Sequence, residues 1–489
     1  MQNLTTNLGF TLRTFVTIVL LSAFTSEAGA ENAAQHLLSS IREVTGVPGM
    51  SAAVSLDGEV IWTGTVGYRN HSKSLPVNAE TKFRIASVSK LVTAALVLNA
   101  AENAILDLDT DIRTFVPEWP NHNGAVITLR HLAAHTSGIS HYGAGDQYNS
   151  AIQYENLSDS ITIFADKPLL ARPGQEYSYS SYGYALMGAS LESTTAKSFS
   201  ENLQTVIAVP FGLSNTEAEN ISALPENTTD LFLHNGTPAP RNDQAHVIGA
   251  TGILSTPSDL IRFANAYSKG HIISAKNVSM SWEPTLLNNG EPVETARFQI
   301  GFGWRIGLNW NGDQVFHHAG TTPGARSILS INPERNTTVA FLSNAQWVSR
   351  IETTAELLAA AATEGLHSAY DTCDVGTWSI AGKFIEDTAD PPAGNNESGQ
   401  IIVIYSDGVC SGRLVPTDAL ARWLRKRGSK TAYLPLTLVS VEKTGARVFA
   451  AATPWGAFPL RISKNTDSLV ISGDFAGRVI NLSATNIMQ

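Results

Sequence analysis

Leu37, Leu38, Ile41 and Val44 recur three and four residues apart, the spacing of one helix face, and Gly46 with Pro48 end that helix. Met50 to Leu56 and Glu59 to Tyr68 then flank Asp57-Gly58, a strong signal for a two-residue hairpin. A helix followed by a hairpin predicts a sheet with one covered face. From Ser87 to Ala101 the residues Leu91, Val92, Ala95, Leu96, Val97 and Leu98 place apolar groups nearly all round a helix, so it should be buried on most sides.

Further along come Thr128 to Ala134, the loop His135-Thr136-Ser137-Gly138, and a Pro173-Gly174 turn leading into Tyr177 to Leu191. Ser255 or Thr256 caps a helix with Pro257 in its first turn. Strands Gln314 to Ala319, Ser327 to Asn332 and Thr337 to Leu342 precede a helix from Ile351 to Thr363. Helices thus bracket an antiparallel sheet, an α+β arrangement. Near residue 369 the texture changes to short alternating stretches: Trp378 to Ile385, Ile401 to Tyr405, Leu434 to Val441 and Arg447 to Ala452. With turns at Pro391-Pro392 and Asn395-Asn396 and one helix near Thr417 to Lys426, residues 369–489 read as a small β-rich accessory domain after a main domain of residues 31–368.

The 489 residues are 43% hydrophobic and 16% charged, which excludes a disordered tail or a collagen-like repeat. A net charge of −10 without basic blocks excludes electrostatic docking on nucleic acid, so a small molecule or peptide is the expected ligand. Residues 1–30 read as a signal peptide: Arg13 ends a short n-region, Phe15 to Phe24 is apolar, and Ala28-Gly29-Ala30 supplies the cleavage pattern. The apolar stretch is too short to span a bilayer, and no later one is long enough. An exported protein, periplasmic or secreted, is the expectation; oligomeric state stays open. Cys373 and Cys410 can form one disulfide in that setting, and two buried thiols is the other reading. No CxxC or HExxH is present, so no metal or other cofactor is expected.

Ser-x-x-Lys occurs twice, at Ser87 to Lys90 and at Ser440 to Lys443. Residues three apart meet on a helix but point to opposite faces of a strand. Ser440 lies in a β-type stretch, whereas Ser87 opens the buried helix and brings its hydroxyl beside the Lys90 amine. A serine becomes a nucleophile when a neighbour takes its proton, and Lys90 can do so if burial lowers its pKa.

The segment Phe83-Arg84-Ile85-Ala86-Ser87-Val88-Ser89-Lys90 resembles the nucleophile segment of the class C β-lactamase and penicillin-binding-protein superfamily. A second element, Tyr-x-Asn in that family, is matched by Tyr179-Ser180-Ser181 with serine in place of asparagine. A third, Lys-Thr-Gly on a sheet edge, is matched by His318-Ala319-Gly320 followed by Thr321. Thr128 to Gly138, Gly249 to Phe263 and Gly301 to Trp304 add family-like text. The whole is most similar to the β-lactamase-like serine peptidase and esterase branch with His-x-Gly. This resemblance implies an antiparallel sheet flanked by helices with an all-helical lobe. It also implies Ser87 as nucleophile, Lys90 and Tyr179 as proton carriers, the backbone N–H groups of Ser87 and Thr321 as oxyanion hole, and Ser181, His318 and Gly320 facing substrate.

The departures bear on substrate. His318 is mostly neutral at pH 7 where a lysine would be charged, and Ser181 lacks an amide donor, so esters or peptides without a terminal carboxylate fit better than penicillins. Arg326 on the same edge is either a substitute anion anchor or a solvated side chain. A literal Lys443-Thr444-Gly445 would restore the lactamase pattern, yet its flanks read as a hairpin turn. His135 with Asp107 or Asp109 could be drawn as a Ser-His-Asp triad, but a satisfied loop histidine is the simpler reading, and no Gly-x-Ser-x-Gly elbow exists. Two alternatives stand beside an esterase or peptidase: a β-lactamase or D-Ala-D-Ala carboxypeptidase, and a penicillin-receptor-like protein that acylates and stalls.

Overall fold

The Asp57-Gly58 hairpin forms where its sequence places it, between β1 (Gly49–Leu56) and β2 (Glu59–Gly67), with both turn residues at positive φ. It belongs to a computed structural model that describes residues 33–143, 154, 156–234, 236–347, 349–364, 373–386, 393–465 and 468–486. The signal-peptide reading and Pro391-Pro392 lie outside the described residues. Among the described residues no helix is long and apolar enough to cross a membrane.

Two compact units divide the chain: Val47–Glu356, and a second assembled from the chain up to Gly46 and from Leu357–Gln489. The dividing point falls inside the Ile351–Thr363 helix.

In the first unit, β3 (Phe83–Arg84), β4 (Glu217–Ala218) and β5 (Ile253–Ser255) make a small sheet ordered β3-β5-β4. The main sheet adds β6 (Gln299–Ile300), β7 (Arg305–Leu308), β8 (Gln314–Thr322), β9 (Ala325–Asn332) and β10 (Thr337–Ser343). Its order is β2-β1-β10-β9-β8-β7-β6, antiparallel throughout, so the last strand to be made inserts beside the first. The Ser89–Glu102 helix is buried from Ser89 to Leu98, as its all-round apolar pattern predicts. Thr256 caps the Pro257–Ser268 helix, its hydroxyl accepting the Asp259 N–H, with Pro257 in the first turn.

In the second unit, β11 (Gly376–Glu386), β12 (Ala393–Ser406), β13 (Val409–Pro416), β14 (Leu434–Val441), β15 (Arg447–Thr453), β16 (Gly456–Lys464), β17 (Ser468–Asp474) and β18 (Arg478–Asn486) close an antiparallel barrel. The turn expected at Asn395-Asn396 is not there: both residues lie inside β12, paired with Phe384 and Lys383 of β11. Asparagine favours turns locally, but a ladder of eleven residue pairs between these strands overrides that preference. The barrel is filled by Phe384, Leu414, Phe449, Phe458 and Phe475, with Trp423 of the Ala419–Lys426 helix in the same core. Cys373 and Cys410 are joined as a disulfide. The helix of residues 33–45 belongs to this unit, where His36 Nδ1 lies 2.8 Å from Thr437 Oγ1.

Candidate active site

Ser87 stands in a single 3-10 turn, Ala86–Val88, immediately before the Ser89–Glu102 helix and not within it. Three residues make one 3-10 turn, so the Ser87/Lys90 juxtaposition survives this difference. The turn is held in place by its approach. Ala86 adopts φ +47°, a left-handed value a β-carbon disfavours, and such strain persists where the surroundings impose it. Arg84, fully buried just upstream, donates from Nε to Glu219 at 2.5 Å and from Nη1 to Asn242 Oδ1 at 3.0 Å, and Arg241 closes on the same Glu219.

Tyr179 arrives from the other side. Ser180 caps the Ser181–Thr195 helix: its Oγ accepts the Gly183 N–H at 3.0 Å and donates to Ser140 O at 2.9 Å. This leaves Tyr179 one residue ahead of the cap, where its hydroxyl donates to Ser87 Oγ at 2.9 Å. Lys90, wholly buried, has Nζ 3.2 Å from Ser87 Oγ, 3.0 Å from Ser181 Oγ and 3.1 Å from Ala250 O. Ser181 is therefore the floor beneath the amine, with no exposed surface of its own.

The third wall is β8. Beyond His317 no β7 residue pairs with it, and this bare length runs against the Ala86–Val88 turn. Gly320 permits the approach: a β-carbon there would come 2.3 Å from Ser327 Oγ, 2.6 Å from Ile85 O and 2.9 Å from Ser87 N. Ser327 Oγ donates to Ile85 O at 2.6 Å, tying β9 to the same turn. Thr321 follows on the open edge and is exposed. His318 is buried, its Nδ1 2.8 Å from Ala319 O, which fixes the proton on Nδ1.

The electrostatics favour a mobile proton. Burial lowers the pKa of Lys90, and the Arg305 charge adds to that, against the opposing pull of Tyr179. For Tyr179 burial acts upward, but Lys90, Arg305 and the bonds from Lys90 and Ser87 outweigh it and bring the phenol below its ordinary value. Burial, then Arg305 and Lys90, drive His318 well below the usual imidazole range, so it is neutral at physiological pH, more firmly than its sequence context alone implied.

The fold therefore brings Ser87, Lys90, Tyr179, Ser181, His318 and Gly320 to one place. Arg326 is a correction. It is neither an anion anchor nor a solvated side chain, because its guanidinium donates to Gly320 O, Ser349 Oγ and Ser349 O, each at 3.1 Å, and so braces the β8–β9 edge. The other decoys resolve as read: Ser440 lies in β14, and Gly445, at φ +82°, turns the chain into β15. Asp109 pairs with Arg130, and His135 is satisfied by the Ser180 N–H at 3.1 Å.

Sequence reasoning missed two neighbours of Tyr179, His141 and Arg305, and read a third, His135, as a loop histidine without placing it against Tyr179. His135 packs its ring 4.3 Å from that of Tyr179, and His141 stands edge-on to Tyr179 at 5.3 Å. Arg305 places its guanidinium 5.8 Å from the Tyr179 ring and 4.6 Å from that of Phe298. The available signal for Arg305 was its position directly after the family-like Gly301 to Trp304 run, on a strand that pairs it with His317, next to His318.

A family model described as Beta-lactamase matches residues 34–362, and the chain belongs to that family, whose members are serine hydrolases. Among curated relatives it is similar to Penicillin-binding protein 4* of Bacillus subtilis, 25% identical over 309 residues, 59% of this chain and 66% of that protein. It is likewise similar to the mitochondrial serine beta-lactamase-like protein LACTB of Homo sapiens, 24% identical over 398 residues, 63% of this chain and 73% of that protein. The octameric penicillin-binding protein homologue from Pyrococcus abyssi shares the fold over 92% of this chain and 98% of its own, with 20% identity and a TM-score of 0.58.

Proposed function

We propose that this chain is an exported serine hydrolase that works through an acyl-enzyme on Ser87, and the observation that carries the reading is the buried Tyr179–Ser87–Lys90 chain of hydrogen bonds. A neutral Lys90 completes it. Two N–H bonds go to Ser181 Oγ and Ala250 O, and the remaining lone pair faces Ser87 at 3.2 Å, while Tyr179 donates to the same oxygen. Ser87 then attacks a carbonyl carbon as its proton passes to Lys90, and Tyr179 delivers a proton to the departing ester oxygen or amide nitrogen. Water, activated by the same pair, cleaves the acyl-enzyme. The close approach of Gly320 to Ser87 N supports an oxyanion hole made by the Ser87 and Thr321 N–H groups, each donor worth about 3 kcal/mol in such sites.

Esters and peptides are the substrates. A second reading, a D-Ala-D-Ala carboxypeptidase or β-lactamase, is favoured by Arg305, which has no carboxylate partner among the described residues and is half-buried at the site. An unpaired cation there suits a substrate carboxylate, which the neutral His318 does not. The Cys373–Cys410 bridge supports the export reading, since such bonds persist in oxidising compartments.

The test is labelling by a fluorophosphonate probe. The native chain should label and Ser87→Ala should not; undiminished labelling of the variant ends the proposal. Side-by-side turnover of p-nitrophenyl esters, D-amino-acid peptides and a chromogenic cephalosporin separates the substrate classes. A burst without turnover identifies a stalled receptor.

A further inference from the structure

Ser181 cannot present a polar group to substrate, because it is fully buried with its hydroxyl 3.0 Å from Lys90 Nζ. The side chain next to it can. His141, on the loop that follows Gly138, is exposed, and its Nδ1 accepts the backbone N–H of Ser181 at 3.2 Å. A neutral imidazole that accepts at Nδ1 carries its proton on Nε2. The ring is fixed on two further sides, 3.9 Å from the Tyr142 ring and 5.3 Å from the Tyr179 ring at 78°. Its Nε2–H has no partner among the described residues. The result is an orientation-locked, solvent-facing donor against the tyrosine that touches the nucleophile.

We propose that His141 is a specificity-determining residue whose Nε2–H binds a neutral acceptor of the substrate, the amide carbonyl on the acyl side of the bond being cleaved. Charge sorts the two flanks. Desolvation of its inner edge and the nearby Lys90 charge hold the His141 pKa down to about 4, so above pH 5 it is an uncharged donor suited to a carbonyl. The cation, Arg305, comes to Tyr179 from the sheet and suits a carboxylate, which in a peptide belongs to the leaving side. That assignment leaves His141, from the helical side, with the acyl portion. The groups around Tyr179 are then Lys90 from the buried helix, Arg305 and His318 from the sheet, and His135 and His141 from the loop, with the imidazoles of His135 and His318 also held neutral by burial.

The inference rests on Ser87 acyl transfer, and its test keeps the two apart. Two esters are compared, p-nitrophenyl N-acetyl-D-phenylalaninate and p-nitrophenyl 3-phenylpropionate, which differ only in the acetamido group. The ratio of their kcat/KM values is measured for the native chain, His141→Asn and His141→Gln. Asparagine keeps an acceptor for the Ser181 N–H but removes the outer donor, and glutamine restores a donor near the Nε2 position. His141→Asn should lower the ratio about five- to ten-fold, the range of one neutral hydrogen bond, and His141→Gln less. Fluorophosphonate labelling of Ser87 in each variant reports that the site is folded. A ratio unchanged within two-fold in His141→Asn overturns the assignment to His141 while leaving acyl transfer standing. Absence of both a p-nitrophenol burst and turnover on the two esters in the native chain overturns acyl transfer and this inference with it.

Discussion

At the scale of single residues the proposed mechanism turns on one proton shared between Lys90 and Tyr179 and on the ring of groups that set its affinity. Lys90 and Tyr179 are coupled, so activity should follow the pair and not either residue alone. In the proposed acyl transfer the reacting form has lost that proton, and Arg305 lowers the pKa of both members. Removing the cation lets the pair hold its proton to higher pH. Arg305→Gln should therefore move the acidic limb of the kcat/KM profile on a simple ester upward by roughly one pH unit, the effect of a half-screened charge about 6 Å away. A limb that stays put, or moves down, removes Arg305 from the electrostatics of the site. Tyr179→Phe tests the other end, since it deletes the hydroxyl that donates to Ser87. It should cost about a hundredfold or more in kcat/KM, with thermal stability barely changed. A drop under threefold would mean that Lys90 alone handles the proton.

Among elements, the decisive contact is strand against turn. Gly320 lets β8 lie on Ala86–Val88, and the atoms a β-carbon would strike include backbone of Ile85 and Ser87, which cannot rotate away. Gly320→Ala should displace the turn, lowering ester kcat/KM about a hundredfold and stability by about 1–3 kcal/mol, read by thermal melting. Near-native turnover in that variant would show that the strand has room the geometry denies. Much of this level was legible in the chain. The hairpin at Asp57-Gly58, the Pro257 helix start and the Ile351–Thr363 helix are local signals, set by turn chemistry, a cap and a 3.6-residue period. Ser87, Lys90 and Tyr179 were legible because local spacing and ordered motif text mark them. Arg305, His135 and His141 were not, because their roles come from long-range packing around Tyr179 that no short window contains. Arg326 misled because its partners, Gly320 on the neighbouring strand and Ser349, are set by the fold of the edge and not by the residue itself. In the β-rich region the alternating stretches announced strands, but barrel closure depends on β11 meeting β18, partners about a hundred residues apart.

For the molecule as a whole, the barrel unit carries a constraint of its own. Cys373 stands ahead of β11 and Cys410 lies in β13, both buried, and their bond joins positions 37 apart in sequence. Closing a loop of that length restricts the unfolded chain by about 3–4 kcal/mol in the entropy treatment. Native-state opening of β11, β12 and β13 should then be suppressed by a similar amount. In the double variant Cys373→Ala, Cys410→Ala, hydrogen exchange of peptides from these strands should accelerate by roughly two to three orders of magnitude, since each 1.4 kcal/mol is about a factor of ten. Dithiothreitol should act slowly on the native chain, because both sulfurs are covered until the barrel opens. Equal exchange rates in variant and native chain would mean that the barrel core around Phe449, Phe458 and Phe475 already limits opening, leaving the bridge without a measurable share in holding the strands together.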